Sequence, residues 1–141
     1  MAYPLKEWKT TFKYGAKYKN GGVHKGIDGR AATGTPVYAS VSGVVVHSGP
    51  HKFLKGWGRS FGIHIIVDND RFKDGKAGLW AGYAHLSKVK VAPGQKVKKG
   101  QLLGWSGSTG NSTAPHLHFQ VMSTRHWSPT KHVNPDKWLK A

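Results

Sequence analysis

Glycine is the feature that most limits what this chain can become. The 141 residues include 19 glycines and 7 prolines. That frequency suits short strands joined by many tight turns and disfavours a helical bundle. The length provides for one hydrophobic core and leaves too little chain for two. Hydrophobic residues make up 38% and charged residues 20%, so the core can pack and wholesale disorder is not expected. The expected fold is mainly β: a single compact domain, residues 1–141, of bent antiparallel sheets with little helix.

The local pattern agrees with this. Residues 1–23 are polar, aromatic and glycine-bearing and read as an extended arm or loop. Thr35–Val46 is β-branched and interrupted by glycine, which predicts two short strands about a turn at Ser42-Gly43. Phe61–Asp68 and Leu79–Leu86 read as strands, separated by turn chemistry in residues 69–78 whose clearest signal is Asp74-Gly75. In Val89–Gly104, short strands turn sharp corners at Pro93-Gly94 and Gly100. Gly34-Thr-Pro-Val37 with Gly43 parallels Gly94-Gln-Lys-Val97 with Gly100 and Gly104, a weak internal repeat. Residues 107–115 form a loop, His116–Met122 alternates like a strand, and Pro135–Leu139 closes the chain with one helical turn.

Two compositional facts narrow the chemistry. The chain has no cysteine, so disulfides and thiolate-bound zinc are excluded, and any metal is left to carboxylate and the 9 histidines. Its formal charge is +16, from 22 Lys and Arg against 6 Asp and Glu. Such a field draws a protein to polyanions: nucleic acid, anionic lipid, or the phosphate-bearing polymers of a bacterial wall. No apolar run approaches the ~20 residues of a membrane-spanning helix, so membrane insertion is not expected. The N-terminal residues contain no apolar signal segment. Delivery by a phage, or excision from a longer secreted parent, is expected on that ground.

Three motifs carry candidate chemistry. In His116-Leu117-His118 the period of a strand points both imidazoles to one face, with Leu117 and Phe119 toward the core. Two charged rings so close are costly, so a metal or an acid is expected nearby; two half-exposed surface histidines are the alternative. His24 and Asp28, four apart about Gly26, converge if the segment bends, and otherwise form a surface turn with the acid paired to a lysine. His85, in Tyr83-Ala-His85-Leu86, ends a strand, where a histidine is more often structural. Together the motifs supply two imidazoles and a carboxylate, which leaves a tetrahedral zinc ion one position for water.

The set H-x-x-x-D, Y-x-H-L and H-x-H resembles the lysostaphin-type peptidoglycan endopeptidases. The likeness extends through Gly34–Ala39 with Gly43, Gly94–Gln101 and above all Gly104–Gln120, and covers about Tyr18 to Met122, with Pro135–Leu139 similar to the closing segment. It implies an arm of residues 1–17 and a catalytic core of 18–141. It implies one Zn²⁺ held by His24, Asp28 and His118, with His116 and His85 as the non-ligand catalytic pair. Tyr18, six residues before His24, stands where a tyrosine steadies the developing oxyanion, and Asn111 lies in a loop that contacts substrate. The implied activity is hydrolysis of a peptide bond in the cross-bridge or cross-link of bacterial peptidoglycan, by water that zinc makes acidic enough to ionise near pH ~7. Residues 47–82 do not follow the lysostaphin subgroup closely; Trp57, among glycines there, is the residue expected to touch substrate.

Other classes explain less. A catalytically silent wall-binding module of the same fold would leave three ligands without a purpose. The Val91–Gly104 pattern also resembles biotinyl and lipoyl carrier domains, but no lysine stands displayed on a tight hairpin. The basic residues are scattered and carry no recognition-helix or aromatic RNA-binding signature, so no specific nucleic acid is expected. The partners expected are peptidoglycan and, by charge, anionic wall polymers, met outside the cytoplasm by a monomer. His47, His51, His64, His126 and His132 match no motif.

Overall fold

The structure is a computed structural model of the chain and describes residues 1–50, 61–69, 79–124 and 130–139. The strands among them are β1 (Thr10–Phe12), β2 (Ile27–Arg30), β3 (Pro36–Tyr38), β4 (Gly43–Gly49), β5 (Ile63–Asn69), β6 (Leu79–Val89), β7 (Lys96–Val97), β8 (Leu102–Ser106), β9 (His116–Met122) and β10 (His132–Val133). Every pairing is antiparallel. The backbone path runs β1-β2-β9-β6-β5-β4-β7, with β10 on β9, and β8 joining β3 to β6. A 3-10 turn at Pro135–Lys137 is capped by the Asn134 side chain accepting from the Asp136 amide at 3.0 Å. The mainly β, bent antiparallel expectation is met.

The repeat seen in the sequence is a repeat of turns. The Thr35 amide donates to the Ala32 carbonyl and the Gln95 amide to the Ala92 carbonyl, both at 3.1 Å. Gly34 and Gly94 sit third in these turns at φ of +91° and +89°, a conformation that side chains resist and glycine accepts. Each turn then launches a short strand, β3 or β7.

The long strand β6 organises the rest. Residues Trp80–Ala84 pair with β9 along one edge, and the strand then takes β8 as its partner from Leu86 to Val89. His85 stands at the changeover with φ +61°, the one described non-glycine residue with positive φ. The sheet is covered on both faces. On one, Ile27, Val37, Ile65, Val67, Tyr83, Leu103, Leu117 and Phe119 are fully buried. On the other, Phe61, Ile66, Ala84 and Met122 form a smaller cluster. That is why β5 is buried along nearly its whole length rather than alternating.

The N-terminal residues are more tightly held than an arm or loop suggests. Leu5 belongs to the main core, β1 pairs with β2, and Trp8 lies flat where a side chain on Gly29 would stand. The terminal amino group donates to the Trp138 carbonyl at 2.8 Å, which ties the first residue to the closing turn.

Candidate metal centre and groove

The site grows from one cross-strand pairing. β2 and β9 run antiparallel with Asp28 directly opposite His118, so their side chains rise together from neighbouring positions on one face. His24 precedes β2, and the chain returns it to the same spot through Gly26. A β-carbon at Gly26 would meet the Phe119 carbonyl and stand 2.9 Å from Cε1 of His118. Only a residue without one lets this segment lie against β9.

Three donor atoms converge there. His24 Nε2 lies 3.1 Å from His118 Nδ1, Asp28 Oδ1 lies 3.2 Å from His24 Nε2, and Asp28 Oδ1 lies 3.0 Å from His118 Nδ1. Ligands held at about 2.0–2.2 Å by a tetrahedral ion stand roughly 3.3 Å apart, close to these separations.

The far side of each ring fixes its tautomer. His24 Nδ1 is 3.1 Å from the Lys13 carbonyl, which can only accept, so Nδ1 carries the proton and Nε2 keeps its lone pair. His118 Nε2 is 2.9 Å from Oε1 of Gln120, which leaves Nδ1 as the lone-pair nitrogen. Two lone pairs and a carboxylate oxygen facing one another repel unless a cation stands among them. When the two rings instead carry a proton toward Asp28, burial works to raise its pKa, but hydrogen bonds from His118 and His24 outweigh it and hold the carboxyl below the usual carboxylate range. Histidine and carboxylate donors with no sulfur suit zinc.

Two more imidazoles stand beside this set. His116 Nδ1 donates to the Ala114 carbonyl at 2.9 Å, and its Nε2 is 3.7 Å from Asp28 Oδ1. His85 Nδ1 donates to the Thr109 carbonyl at 2.7 Å. In the neutral rings this leaves both Nε2 atoms unprotonated. The rings are 4.9 Å apart, and His85 is 6.1 Å from His118. Burial, opposed by the hydrogen bond to Thr109 and reinforced by the nearby histidines, pushes the His85 pKa down to about 4. His85 is therefore neutral at physiological pH and available as a base.

Tyr18 stands at the rim, with its ring edge-on to His24 at 5.9 Å and 5.2 Å from Phe12. Partial burial and the charge of Asp28 raise its pKa, so it keeps its O–H at neutral pH. A groove opens here, lined by Tyr18, Val23, Lys25, Phe61, His85, Asn111, His118 and Gln120. Of the expected site residues, His24, Asp28, His118, His85, His116, Tyr18 and Asn111 are thus gathered in one place. Trp57 lies outside the described residues, as do His51 and His126.

Sequence reasoning missed several partners. Gln120 had a usable signal, because it lies two residues beyond His118 and shares its face. Thr109 and the Lys13 carbonyl had none, since their roles depend on contacts between distant segments. Among the described residues, the unassigned histidines have plain partners: His132 Nδ1 lies 2.8 Å from the Tyr14 hydroxyl, and His47 stacks on His64 at 4.1 Å.

Comparison with known proteins places this geometry in a family. The pattern of peptidase family M23 matches residues 22–135. Lysostaphin from Staphylococcus simulans is 41% identical over 96% of the chain, and the glycyl-glycine endopeptidase ALE-1 from Staphylococcus capitis is 42% identical over 95%. The chain spans only 26% and 35% of those two relatives' lengths. Peptidoglycan DD-endopeptidase ShyA from Vibrio cholerae is 37% identical over 70% of the chain and 20% of its own length. Among solved structures, the catalytic domain of lysostaphin from Staphylococcus simulans superposes with a TM-score of 0.78 at 38% identity, covering 93% of this chain and 91% of that one. A prophage-encoded M23 protein, EnpA from Enterococcus faecalis, superposes with a TM-score of 0.74 at 32% identity, covering 97% and 95%. A zinc-containing peptidase from Vibrio cholerae does so with a TM-score of 0.73 at 27% identity, covering 94% and 37%. With a convergent His24, Asp28 and His118 set on that fold, the chain belongs to peptidase family M23.

Proposed function

We propose that this chain is a zinc endopeptidase that cuts peptide bonds in bacterial peptidoglycan. The observation that carries the reading is a set of five side chains gathered at one site, two of which, His85 and His118, line the groove. Three donor atoms point at a common centre, and two further imidazoles beside them are tied at Nδ1 and open at Nε2. His24, Asp28 and His118 hold the ion. When bound, zinc supplies Lewis acidity, polarising a peptide carbonyl and making water acidic enough to ionise near neutral pH.

The chain's own residues handle protons and charge. His85, neutral above about pH 4, takes the proton from the attacking water or relays it to the leaving amine. His116, held by Ala114 in the same tautomer, shares this work from the other side of the site. Tyr18 keeps its O–H and donates to the oxygen on which negative charge develops. Asp28 contributes a single negative charge, so a divalent ion leaves the centre at net +1 (+2 − 1), favourable to that charge. Asn111, in the loop beside His85, contacts the substrate peptide.

For the scissile bond we favour the glycine cross-bridge. The relatives named lysostaphin and glycyl-glycine endopeptidase match 95–96% of the chain, whereas the one named DD-endopeptidase matches 70%. Likeness to a prophage-encoded protein supports phage delivery to the wall. The +16 charge supports adsorption to anionic wall polymers.

The test uses zinc-loaded protein on two wall preparations, one cross-linked through glycine bridges and one through direct D-amino-acid bonds. Mass analysis should find fragments with new glycine termini from the first alone. Cleavage of the second alone would overturn the assignment of the bond, and cleavage of neither would overturn the enzyme.

A further inference from the structure

We infer that Gln120 is a positioning residue that holds His118 in the tautomer able to bind metal. The inference rests on the metal-centre reading above and adds to it a residue that touches neither the ion nor the substrate bond.

Gln120 is 1% exposed and sits on β9 two residues after His118, on the same face. Its Oε1 receives the His118 Nε2 proton at 2.9 Å. Its amide nitrogen is buried and has no hydrogen-bond partner among the described residues. An unsatisfied buried amide is a cost that a methionine or leucine of similar size would avoid. Packing therefore does not explain a glutamine here; the acceptor oxygen does.

The reason an acceptor is needed lies on the other side of the ring. His118 Nδ1 faces both Asp28 Oδ1 and His24 Nε2. Without a partner at Nε2, the ring proton would move to Nδ1 and bond to the Asp28 carboxylate. That would occupy the atom meant for the ion. Gln120 opposes this by rewarding protonation at Nε2. The Lys13 carbonyl does the same for His24 from outside β9, so each ring has its own anchor. A glutamate at 120 would also accept the proton, but it would place a second negative charge beneath the centre.

Three proteins test the inference: wild type, Gln120→Met and Gln120→Glu. Zinc dissociation constants come from chelator competition, and the His118 ring nitrogens are read by ¹⁵N NMR in the zinc-free proteins. Loss of the acceptor should weaken zinc about 10–100-fold in Gln120→Met, the range found when such outer partners are removed. Gln120→Glu should bind zinc at least as tightly as wild type, a rescue that a merely structural role would not produce. The wild-type spectrum should show His118 protonated at Nε2. Equal affinity of wild type and folded Gln120→Met would overturn the inference alone, as would a wild-type ring protonated at Nδ1. Should Gln120→Met fail to fold, weaker zinc binding by Gln120→Glu than by wild type would overturn it. A wild-type protein that takes up no zinc would bring down the metal centre and this inference together.

Discussion

His85 stands in backbone space that side chains rarely enter, and its neighbours hold it there. Its φ of +61° falls where β6 trades β9 for β8, a conformation that costs of order 1–3 kcal/mol outside glycine. Thr109 acts as the clamp. Its carbonyl accepts from His85 Nδ1, its hydroxyl donates to the Leu86 carbonyl at 2.6 Å, and the same oxygen accepts from the Ile63 amide at 3.1 Å. Strain held this firmly beside a metal centre points to a residue placed for chemistry. His85→Ala should therefore keep zinc and lose about 10²–10⁴-fold in kcat, the share a positioned acid or base supplies. His118→Ala should lose zinc itself. Metal content and turnover, measured on the same samples, separate the two, and release of zinc by His85→Ala would reverse the assignment. Stability carries a second signature. The folded His85 pKa of about 4 lies below the ordinary 6.5, so the unfolded chain binds the proton first. The neutral ring's contribution is whole above about pH 6.5 and drains away as pH falls toward 4. Zinc-free His85→Ala should show a shallower loss of stability across that window in denaturant titrations.

At the scale of the element, the centre depends on how closely β2 approaches β9. Gly26 is the contact where the approach is tightest, with the Phe119 carbonyl and the His118 ring in the space a side chain would need. Gly26→Ala should push β2 outward, costing about 1–3 kcal/mol as an overpacked site. It should also weaken zinc binding more than that loss of stability alone would explain, because Asp28 and His118 face each other across the same pairing. Denaturant melts and chelator competition on one variant check both halves; unchanged zinc affinity would show that the ligands do not need this spacing. The same pairing shows what the sequence could and could not reveal. β9 was legible, because alternation in His116–Met122 puts both imidazoles on one face whatever their surroundings. β2 was not, since Ile-Asp-Gly-Arg has no alternation and is a strand only because β9 and β1 flank it. β1 and β10 are three and two residues long and carry no period at all. The candidate ligands were named through the family likeness of H-x-x-x-D and H-x-H. Spacing alone left both motifs open, because convergence rests on the register of Asp28 against His118. The Lys13 and Thr109 anchors are backbone carbonyls, which no residue type announces.

For the whole molecule, the question is where the charge falls. The six acids are Glu7, Asp28, Asp68, Asp70, Asp74 and Asp136, so the 61 residues from 75 to 135 contain none. Asp28 belongs to the candidate metal centre and Asp68 is buried. The stretch from the end of β6 through β7 meanwhile exposes Lys88, Lys90, Lys96, Lys98 and Lys99. Their backbone is held in the fold: Lys88 pairs with Trp105 on β8, the Lys90 amide donates to the Leu103 carbonyl, and the Lys99 amide donates to Ser42 Oγ at the foot of β4. Five exposed ammonium groups within one short stretch of chain attract a phosphate polymer over a Debye length of about 8 Å at physiological salt and over less at high salt. None of the five lines the groove. Replacing Lys96, Lys98 and Lys99 together by glutamate changes the charge by −6 (three residues, −2 each) without touching the ligands. The triple variant should therefore hydrolyse a soluble cross-bridge peptide at the wild-type rate. It should bind intact walls several-fold more weakly, and this deficit should shrink as salt rises, because screening removes the attraction from wild type as well. Walls stripped of their phosphate polymers should bind the two proteins nearly alike. An equal deficit on stripped and intact walls would show that these lysines meet something other than the phosphate polymer, and a fall in soluble-peptide turnover would show that they and the groove are coupled.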